Sequence, residues 1–467
     1  MNTAIWWIRR DLRLHDNQAL AAALHSGSAI IPVFISDPAL HTSPYFSPRR
    51  WQFLLGGLHA LDSDLRRLGS QLHYFQGKPL SILSSLVGDG YASRIFAEED
   101  ITPYSQSRDQ QIQAALPIQF TPGLSLLPPG TITTRTGKLM RVYTPFRNAF
   151  FSHPLSHGLA PLAAAAVIPL PERTPESLPL PPHIPDAGTR FSPGEREAQM
   201  RLRAFSADVT APIFDYQEGR NGLAQPGSAS LSPYLRLGML SIRSAYKAAE
   251  QAIERTDHLE ARKSAEIWRD QLLWRDFFIN ILAFNPAARK MSFRPEFRRI
   301  VWLNREDEFT AWKEGRTGYP LVDAAMRQLH EEGWIPNRAR MVVASFLVKH
   351  LLIDWRWGER WFMQQLLDGD PAQNNGGWQW SAGTGTDAAP YFRIFNPILQ
   401  SRRYDPEGDY IRRWVPELAR TAPRLIHKPW HLSDEERHGY PLPLVDHRYA
   451  RERALEAYAQ ARRLRSD

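Results

Sequence analysis

LLDGDPAQNNGGWQWSAGTGTDAAPYFRIFNP, residues 366–397, is the stretch on which the reading of this chain turns. Asp368 and Asp370 flank Gly369 ahead of Pro371, where an apolar helix is expected to stop and leave two carboxylates beside exposed backbone. Asn374, Asn375, Gly376, Gly377, Trp378, Gln379 and Trp380 follow. Glycine permits close approach of backbone to a flat molecule, Asn and Asp address its hydrogen-bonding edge, and two indoles supply stacking surface or an electron relay. The segment reads as built to hold a planar ligand. The plainer alternative is a Gly-rich loop capped by core tryptophans.

Toward the N-terminus the pattern is of another kind. Ala4 to Ile8, Ala29 to Ile35, Gln71 to Phe75 and Arg94 to Ala97 read as short buried strands, separated by helical patterns such as Arg49 to Leu68. That alternation predicts a parallel, Rossmann-like α/β sheet. RRDLRLHDN follows the first strand in place of GxGxxG, so the usual dinucleotide fingerprint is absent. Arg9, Arg10 and Arg13 are read as structural, pairing with Asp11 and Asp16.

Residues 151–195 are rich in proline and predict a connector wrapped over the surface. Helical spacing then dominates, in Arg196 to Ala207, Ser241 to Thr256, Ser264 to Phe284, Pro320 to Glu332, Arg338 to Ile353 and Glu359 to Leu367. The expected layout is an α/β domain over 1–130, a linker over 131–195 and an all-α domain over 196–467.

Composition narrows the chemistry. A formal charge of +8 suits a polyanionic partner, although surplus Arg also serves as solubilising surface. With no cysteine in the chain, disulfides, Cys-ligated zinc and thiol catalysis are excluded, and no metal site is expected. No apolar run approaches the length needed to span a bilayer and no signal peptide is recognisable, so a cytoplasmic protein is the expectation.

Three further stretches stand out in the helical half. GSASLSPYLRLGMLS, residues 227–241, sets small hydroxyl residues before Pro233, where a helix can start; a phosphate site and an ordinary Ser cap are both open readings. In IWRDQLLWRDFF, Trp268, Gln271 and Arg275 share one helical face with Trp274 near its edge, and a purely apolar core face would not carry Gln and Arg. In WIPNRARM, Arg338 and Arg340 open a helix against its dipole, so a compensating anion is implied, a carboxylate such as Asp368 or a phosphate.

LSPYLRLG, the WRDFF helix, GYPLVDAAMRQL, WIPNRARM, NNGGWQW, GTDAAPYFRIFNP, DPEGDYIRRWVPEL and RRDLRLHDN, in this order of interest and running nearly end to end, closely resemble the DNA photolyase and cryptochrome family. Within it the chain looks like a class I cyclobutane pyrimidine dimer photolyase. The resemblance implies an N-terminal α/β antenna domain and a C-terminal all-α domain holding FAD in a folded conformation.

Position by position, the resemblance assigns Tyr216, Ser228, Ser230, Leu231, Ser232 and Arg275 to the phosphate and adenine side of FAD, and counts Ala229, Trp268 and Gly369 among the cofactor-binding positions. It sets Arg340 against Asp368 beside the ribityl chain, Asp370 at the isoalloxazine edge, and Asn374 at flavin N5. Trp378, Trp355 and Trp302 match the relay that carries electrons from the surface to the flavin. Gln271, Trp274, Asn337, Met341 and Trp380 match lesion-pocket positions, while Arg220, Arg338, Arg393 and Gln400 lie where the family meets DNA. Two residues depart from the pattern: Gln271 stands where Glu is usual, and Ala229 replaces a common Ser.

The activity implied is light-driven repair of cyclobutane pyrimidine dimers in UV-damaged DNA by an electron from excited, reduced FAD, carried out by a monomer. A cryptochrome-type photoreceptor and a (6-4) photolyase are the alternatives. A second, antenna chromophore is also implied, 5,10-methenyltetrahydrofolate or 8-hydroxy-5-deazaflavin, between which EEDITPYSQSRD does not choose.

Overall fold

Five short runs build one parallel sheet in the computed structural model, which describes residues 2–225 and 227–463. β1 (Thr3–Ile8), β2 (Ala29–Ser36), β3 (His73–Gln76), β4 (Arg94–Glu98) and β5 (Ile118–Thr121) lie in the order β3-β2-β1-β4-β5. Trp6 stands opposite Pro32 on one side and Phe96 on the other. β2 is buried along its whole length and β1 almost so, as strands covered by helices on both faces must be, and this is why they read as unbroken apolar runs. β5 was not anticipated. It is a four-residue edge strand with partly exposed side chains, lying between Pro117 and Pro122, and such a segment carries almost no periodic signal.

The arginines after β1 are structural, but not with the partners expected. Arg9 pairs with Asp109 at 2.6 Å, Arg10 with Asp370 at 2.8 Å, and Arg13 with Glu98. Arg13 reaches only the main-chain carbonyl of Asp16, whose carboxylate is taken by Arg243 at 2.7 Å. These partners lie 85 to 360 residues away, so the sequence near Arg9 could not reveal them.

The stretch expected as a linker from residue 131 contains a helix, Tyr143–Ser152, because Tyr143 and Phe146 find ring partners on the Leu259–Phe284 helix. From Leu159 to Gly194 no helix occurs, in keeping with the prolines. The helical part then follows the periodicity closely. Pro320–Glu332 is a helix with the predicted limits, opened by its proline and closed by Gly333 in the left-handed conformation.

Two departures matter for the site. The first is Pro371–Ala382, a helix running through the NNGGWQW motif rather than a glycine loop. Two helical glycines cost about 1 kcal/mol each relative to Ala, and two features offset this. Asp370 caps the helix by accepting from the amides of Ala372 and Gln373, and Gly376 lets it pack flush on Phe278, whose ring a Cβ would approach to 2.3 Å. The second departure is that the helix expected over 338–353 is α-helical only as Asn337–Ser345 and continues as a π turn, Phe346–His350. Within that turn Lys349 is buried without a carboxylate partner among the described residues, and its ammonium donates to the Ala382 carbonyl at 2.9 Å, at the C-terminal end of the Pro371–Ala382 helix.

One apolar core runs from β1 and β2, through Phe191 and Tyr234, to Phe277 on the long helix, and a second surrounds Trp312, Phe346, Trp355 and Trp378. The functional cavity lies between them.

Candidate flavin and DNA-lesion site

Three helices and one loop converge on a cavity of about 570 Å³. Leu259–Phe284 contributes Trp268, Gln271, Trp274 and Arg275, the face singled out from the sequence. Asn337–Ser345 contributes Asn337, Arg340 and Met341, and Pro371–Ala382 contributes Asn374, Gly377, Trp378 and Trp380. Ser228, Ala229, Ser230, Leu231 and Ser232 line it from the loop before the short Ser232–Leu237 helix, opposite Tyr216 and Arg220. Asp368 and Asp370 complete one wall.

At the hydroxyl-rich end, Ser230 adopts a positive φ of 50° and accepts from Arg190 at 3.1 Å, while Ser232 accepts from the Trp334 indole at 3.1 Å. The loop presses so tightly on Gly219 that a Cβ at Gly227 would lie 1.9 Å from the Gly219 carbonyl oxygen. Arg190, Trp334 and Arg236 line this region and were not singled out from the sequence, because nothing in their local pattern separates them from surface Arg or core Trp.

At the carboxylate end, Arg340 and Asp368 form a two-pronged pair at 3.1 and 2.8 Å, so the anion implied for Arg340 is a carboxylate of the same chain. Arg338 takes neutral partners, the Asn221 side-chain oxygen at 2.8 Å and the face of Tyr404 at 4.3 Å. Asp370 is buried, which alone would raise its pKa, but Arg10, Arg236 and Arg275 together hold it well below the usual carboxylate range. Asn374 is buried and donates to the Glu359 carbonyl at 2.8 Å. Burial pushes the Glu359 carboxyl up to about 7, against hydrogen bonds from Tyr45 and Asn374. Of the motif's two glycines, Gly377 has nothing within 4 Å of a Cβ position and borders the cavity, leaving room there for a ligand.

At the mouth, Trp274 stacks on Tyr143 with ring centroids 3.8 Å apart, and Gln271 accepts from Arg220 at 3.4 Å while donating to the Ile267 carbonyl. Tyr143 is another residue missed from sequence, since it precedes its partner by more than a hundred positions. The Asn337 amide meets the Met341 sulfur at 3.7 Å. Arg393 and its neighbour Phe392 are exposed on a loop that folds back through the Ala389 amide onto the Trp380 carbonyl at 3.2 Å. Gln400 sits on the Pro397–Tyr404 helix, with a buried side-chain oxygen that has no partner among the described residues.

Trp378, Trp355 and Trp302 lie on segments that adjoin one another. Trp378 lies flush against the Trp355–Gln365 helix, where a Cβ at Gly358 would come within 2.1 Å of the indole, and Gly358 follows Trp355 by one turn. Segments 302–304 and 352–354, next to Trp302 and Trp355, are tied by Leu303 donating to Leu352 at 2.8 Å and Asp354 donating to Asn304 at 2.9 Å. Trp378 and Trp355 are buried and Trp302 is half-buried. Trp312, not singled out earlier, stands edge-on to Trp378 at 6.1 Å.

One end of the cavity thus offers hydroxyls and guanidinium groups, and the other a carboxylate and amide wall between indoles. These donors fit a long ligand with an anionic middle and a flat, hydrogen-bonding terminus, which is the chemistry of a flavin dinucleotide. The comparisons agree. Residues 4–167 match the DNA photolyase family and residues 268–460 match the FAD binding domain of DNA photolyase. The deoxyribodipyrimidine photo-lyase of Vibrio cholerae is 38% identical, over 98% of this chain and 99% of its own length. The crystal structure of a bacterial class III photolyase from Agrobacterium tumefaciens aligns with a TM-score of 0.90 at 37% identity, covering 99% of this chain and 98% of the other. A cryptochrome of Synechocystis aligns with a TM-score of 0.89 at 31% identity, covering 98% and 99%. The chain belongs to the DNA photolyase family.

Proposed function

We propose that this chain is a deoxyribodipyrimidine photo-lyase, which uses blue or near-ultraviolet light to split cyclobutane pyrimidine dimers in DNA. The observation that carries this reading is one cavity joining the Arg340–Asp368 pair, Asp370 and Asn374 at its floor to Asn337, Met341, Trp274 and Trp380 at its mouth. When bound, reduced FAD supplies the electron that light releases to the dimer and that returns after the ring opens.

The chain's own residues bind, orient and exclude water. Ser228, Ser230, Ser232, Arg275 and the backbone around Ala229 and Leu231 hold the phosphates, with Tyr216 and Trp268 flanking them. Arg340, Asp368, Asp370 and Asn374 address the ribityl chain and the isoalloxazine edge, whereas Gly369, expected at the cofactor from sequence, does not line the cavity and gives its carbonyl to Arg236. Enzymes that act on bases, photolyases among them, take the base out of the stack. Trp274 and Trp380 give the flipped dimer apolar walls and Gln271 offers it an amide, keeping an acceptor where the family's usual Glu would add charge. Arg220, Arg338, Arg393 and Gln400 face the strand outside.

The proposed domains are 1–130 for the antenna part, 131–195 for the linker and 196–467 for the catalytic part, in a cytoplasmic monomer carrying a second chromophore. Among the described residues no helix is long and apolar enough to cross a membrane. A cryptochrome reading would keep the fold and FAD without repair, and the likeness to the Synechocystis protein is its support. The test is to purify the protein, record flavin absorption bands, and illuminate it in reduced form with a dimer-containing oligonucleotide. Thymines recovered in light and not in darkness are expected; flavin bands without recovery would favour the cryptochrome reading.

DNA binding has its own expected outcome. Arg338 is half-buried against neutral partners and Arg393 is exposed, so each is available to a phosphate. Arg338→Ala and Arg393→Ala should each lower the log–log salt slope of binding by about one unit without creating sequence preference. Titrations at several salt concentrations check this, and an unaltered slope for both removes them from the interface.

A further inference from the structure

The turn Leu366–Asp370 joins two of the helices beside the cavity floor, and three arginines hold it. Arg50 donates to the carbonyls of Met363 at 2.7 Å and Leu366 at 2.8 Å, at the C-terminal end of the Trp355–Gln365 helix. Arg236 donates to the Gly369 carbonyl at 2.7 Å. Arg10 donates to Asp370 at 2.8 Å and stands 3.7 Å from Asp100. The second oxygen of Asp370 accepts from Ala372 and Gln373, so one carboxylate links Arg10 to the first turn of the helix that carries Asn374 and Trp378. The turn has no slack, since a Cβ at Gly369 would lie 2.5 Å from the Arg50 guanidinium.

Arg10 and Arg50 belong to the sheet-containing part of the chain, and the turn belongs to the helical part. Neither arginine lines the cavity, whereas Arg236 and Arg275 do. Around the turn, the guanidinium groups of Arg10, Arg50, Arg236 and Arg275 face the carboxylates of Asp370 and Asp100, with Asp276 3.6 Å from Arg275 and Glu98 acting on Arg10, while Asp368 is engaged by Arg340. Burial pushes the Asp276 and Glu98 carboxyls up to about 7, so near neutral pH the guanidinium groups outnumber the fully ionised carboxylates at this buried place, where solvent screens charge weakly. The crowding is visible at Arg236: burial, and then repulsion by Arg10, push its guanidinium down to about 9.

We propose that Arg10 is a positioning residue of the flavin site, holding Asp370 and the first turn of the Pro371–Ala382 helix, and that its charge favours the reduced, anionic flavin over the neutral oxidised form. The inference rests on FAD occupying the cavity. It makes the sheet-containing part of the chain one side of the cofactor site, through a residue that does not touch the cofactor.

The experiment uses full-length protein carrying FAD, with the substitutions Arg10→Gln and Arg10→Lys. The midpoint potential of the bound flavin is measured by spectroelectrochemical titration, and FAD release by the rise of free-flavin fluorescence. Arg10→Gln should lower the potential and release FAD about tenfold faster, the ratio expected when a charge-assisted hydrogen bond is lost. Arg10→Lys keeps the charge without the planar fork, so its potential should stay near that of the unsubstituted protein while release quickens. An unchanged potential in Arg10→Gln overturns the proposal whatever the release rate. If Arg10→Gln does not fold, Arg10→Lys decides: unchanged release overturns the proposal. Unsubstituted protein without flavin bands would instead overturn the FAD reading on which it rests.

Discussion

Trp378→Phe should bind FAD as tightly as the unsubstituted protein and yet fail to reduce oxidised flavin in light with an external reductant, while chemically reduced variant still repairs DNA. Trp378 is buried against Phe362 at 5.0 Å, borders the cavity and packs at Gly358, which lies one helical turn after Trp355. Trp355 is in turn tied through the 302–304 segment to half-buried Trp302. Phenylalanine fills most of the same volume, so packing changes little, but benzene is far harder to oxidise than indole and the chain of donors is cut at its first member. The route through Trp312 also begins at Trp378, so it cannot bypass the substitution. Flash photolysis of oxidised protein with a thiol present checks the prediction. Photoreduction at the unsubstituted rate would sink the relay, and loss of repair in prereduced variant would show that Trp378 serves the cavity in some other way.

A second all-or-none outcome is substrate choice. Illuminated, reduced protein should repair cyclobutane pyrimidine dimers and leave (6-4) photoproducts untouched. Resemblance to the (6-4) branch would require histidines at the positions of Asn337 and Met341, because that repair needs a proton donated to the lesion. Here the two side chains line the cavity and meet each other, amide to thioether at 3.7 Å, and neither is an acid near neutral pH. Gln271 points toward the (6-4) branch, but an amide for a carboxylate alters the strength of one hydrogen bond, whereas a missing proton donor removes a step. Chromatography of oligonucleotides carrying each lesion, before and after illumination, measures the result. Repair of the (6-4) lesion alone would reverse the assignment.

The amino-acid order determined those features whose causes are local. Pro320 and Gly333 mark a helix at both ends because each acts within its own turn, and the alternation of apolar runs with helical spacing dictates a parallel sheet. Trp268, Gln271 and Arg275 could be placed on one face because a helix repeats every 3.6 residues wherever it is found. Motifs of the family located the cavity's wall residues for the same reason, each being a short string with a fixed internal geometry.

Only the tertiary structure decided the rest, where the cause lies far off in the chain. NNGGWQW is helical although two glycines disfavour it, because the Asp370 cap and the Phe278 ring, nearly a hundred residues upstream, outweigh their entropy. Lys349 and its π turn answer to the carbonyl of Ala382, and Tyr143 answers to the face of Trp274. Arg10 and Asp370 are separated by 360 residues and joined across 2.8 Å. Propensity and period are properties of a few neighbouring residues, whereas the partners of a buried charge are chosen by the folded chain, which must give each guanidinium and carboxylate it withdraws from water a hydrogen bond or an opposite charge.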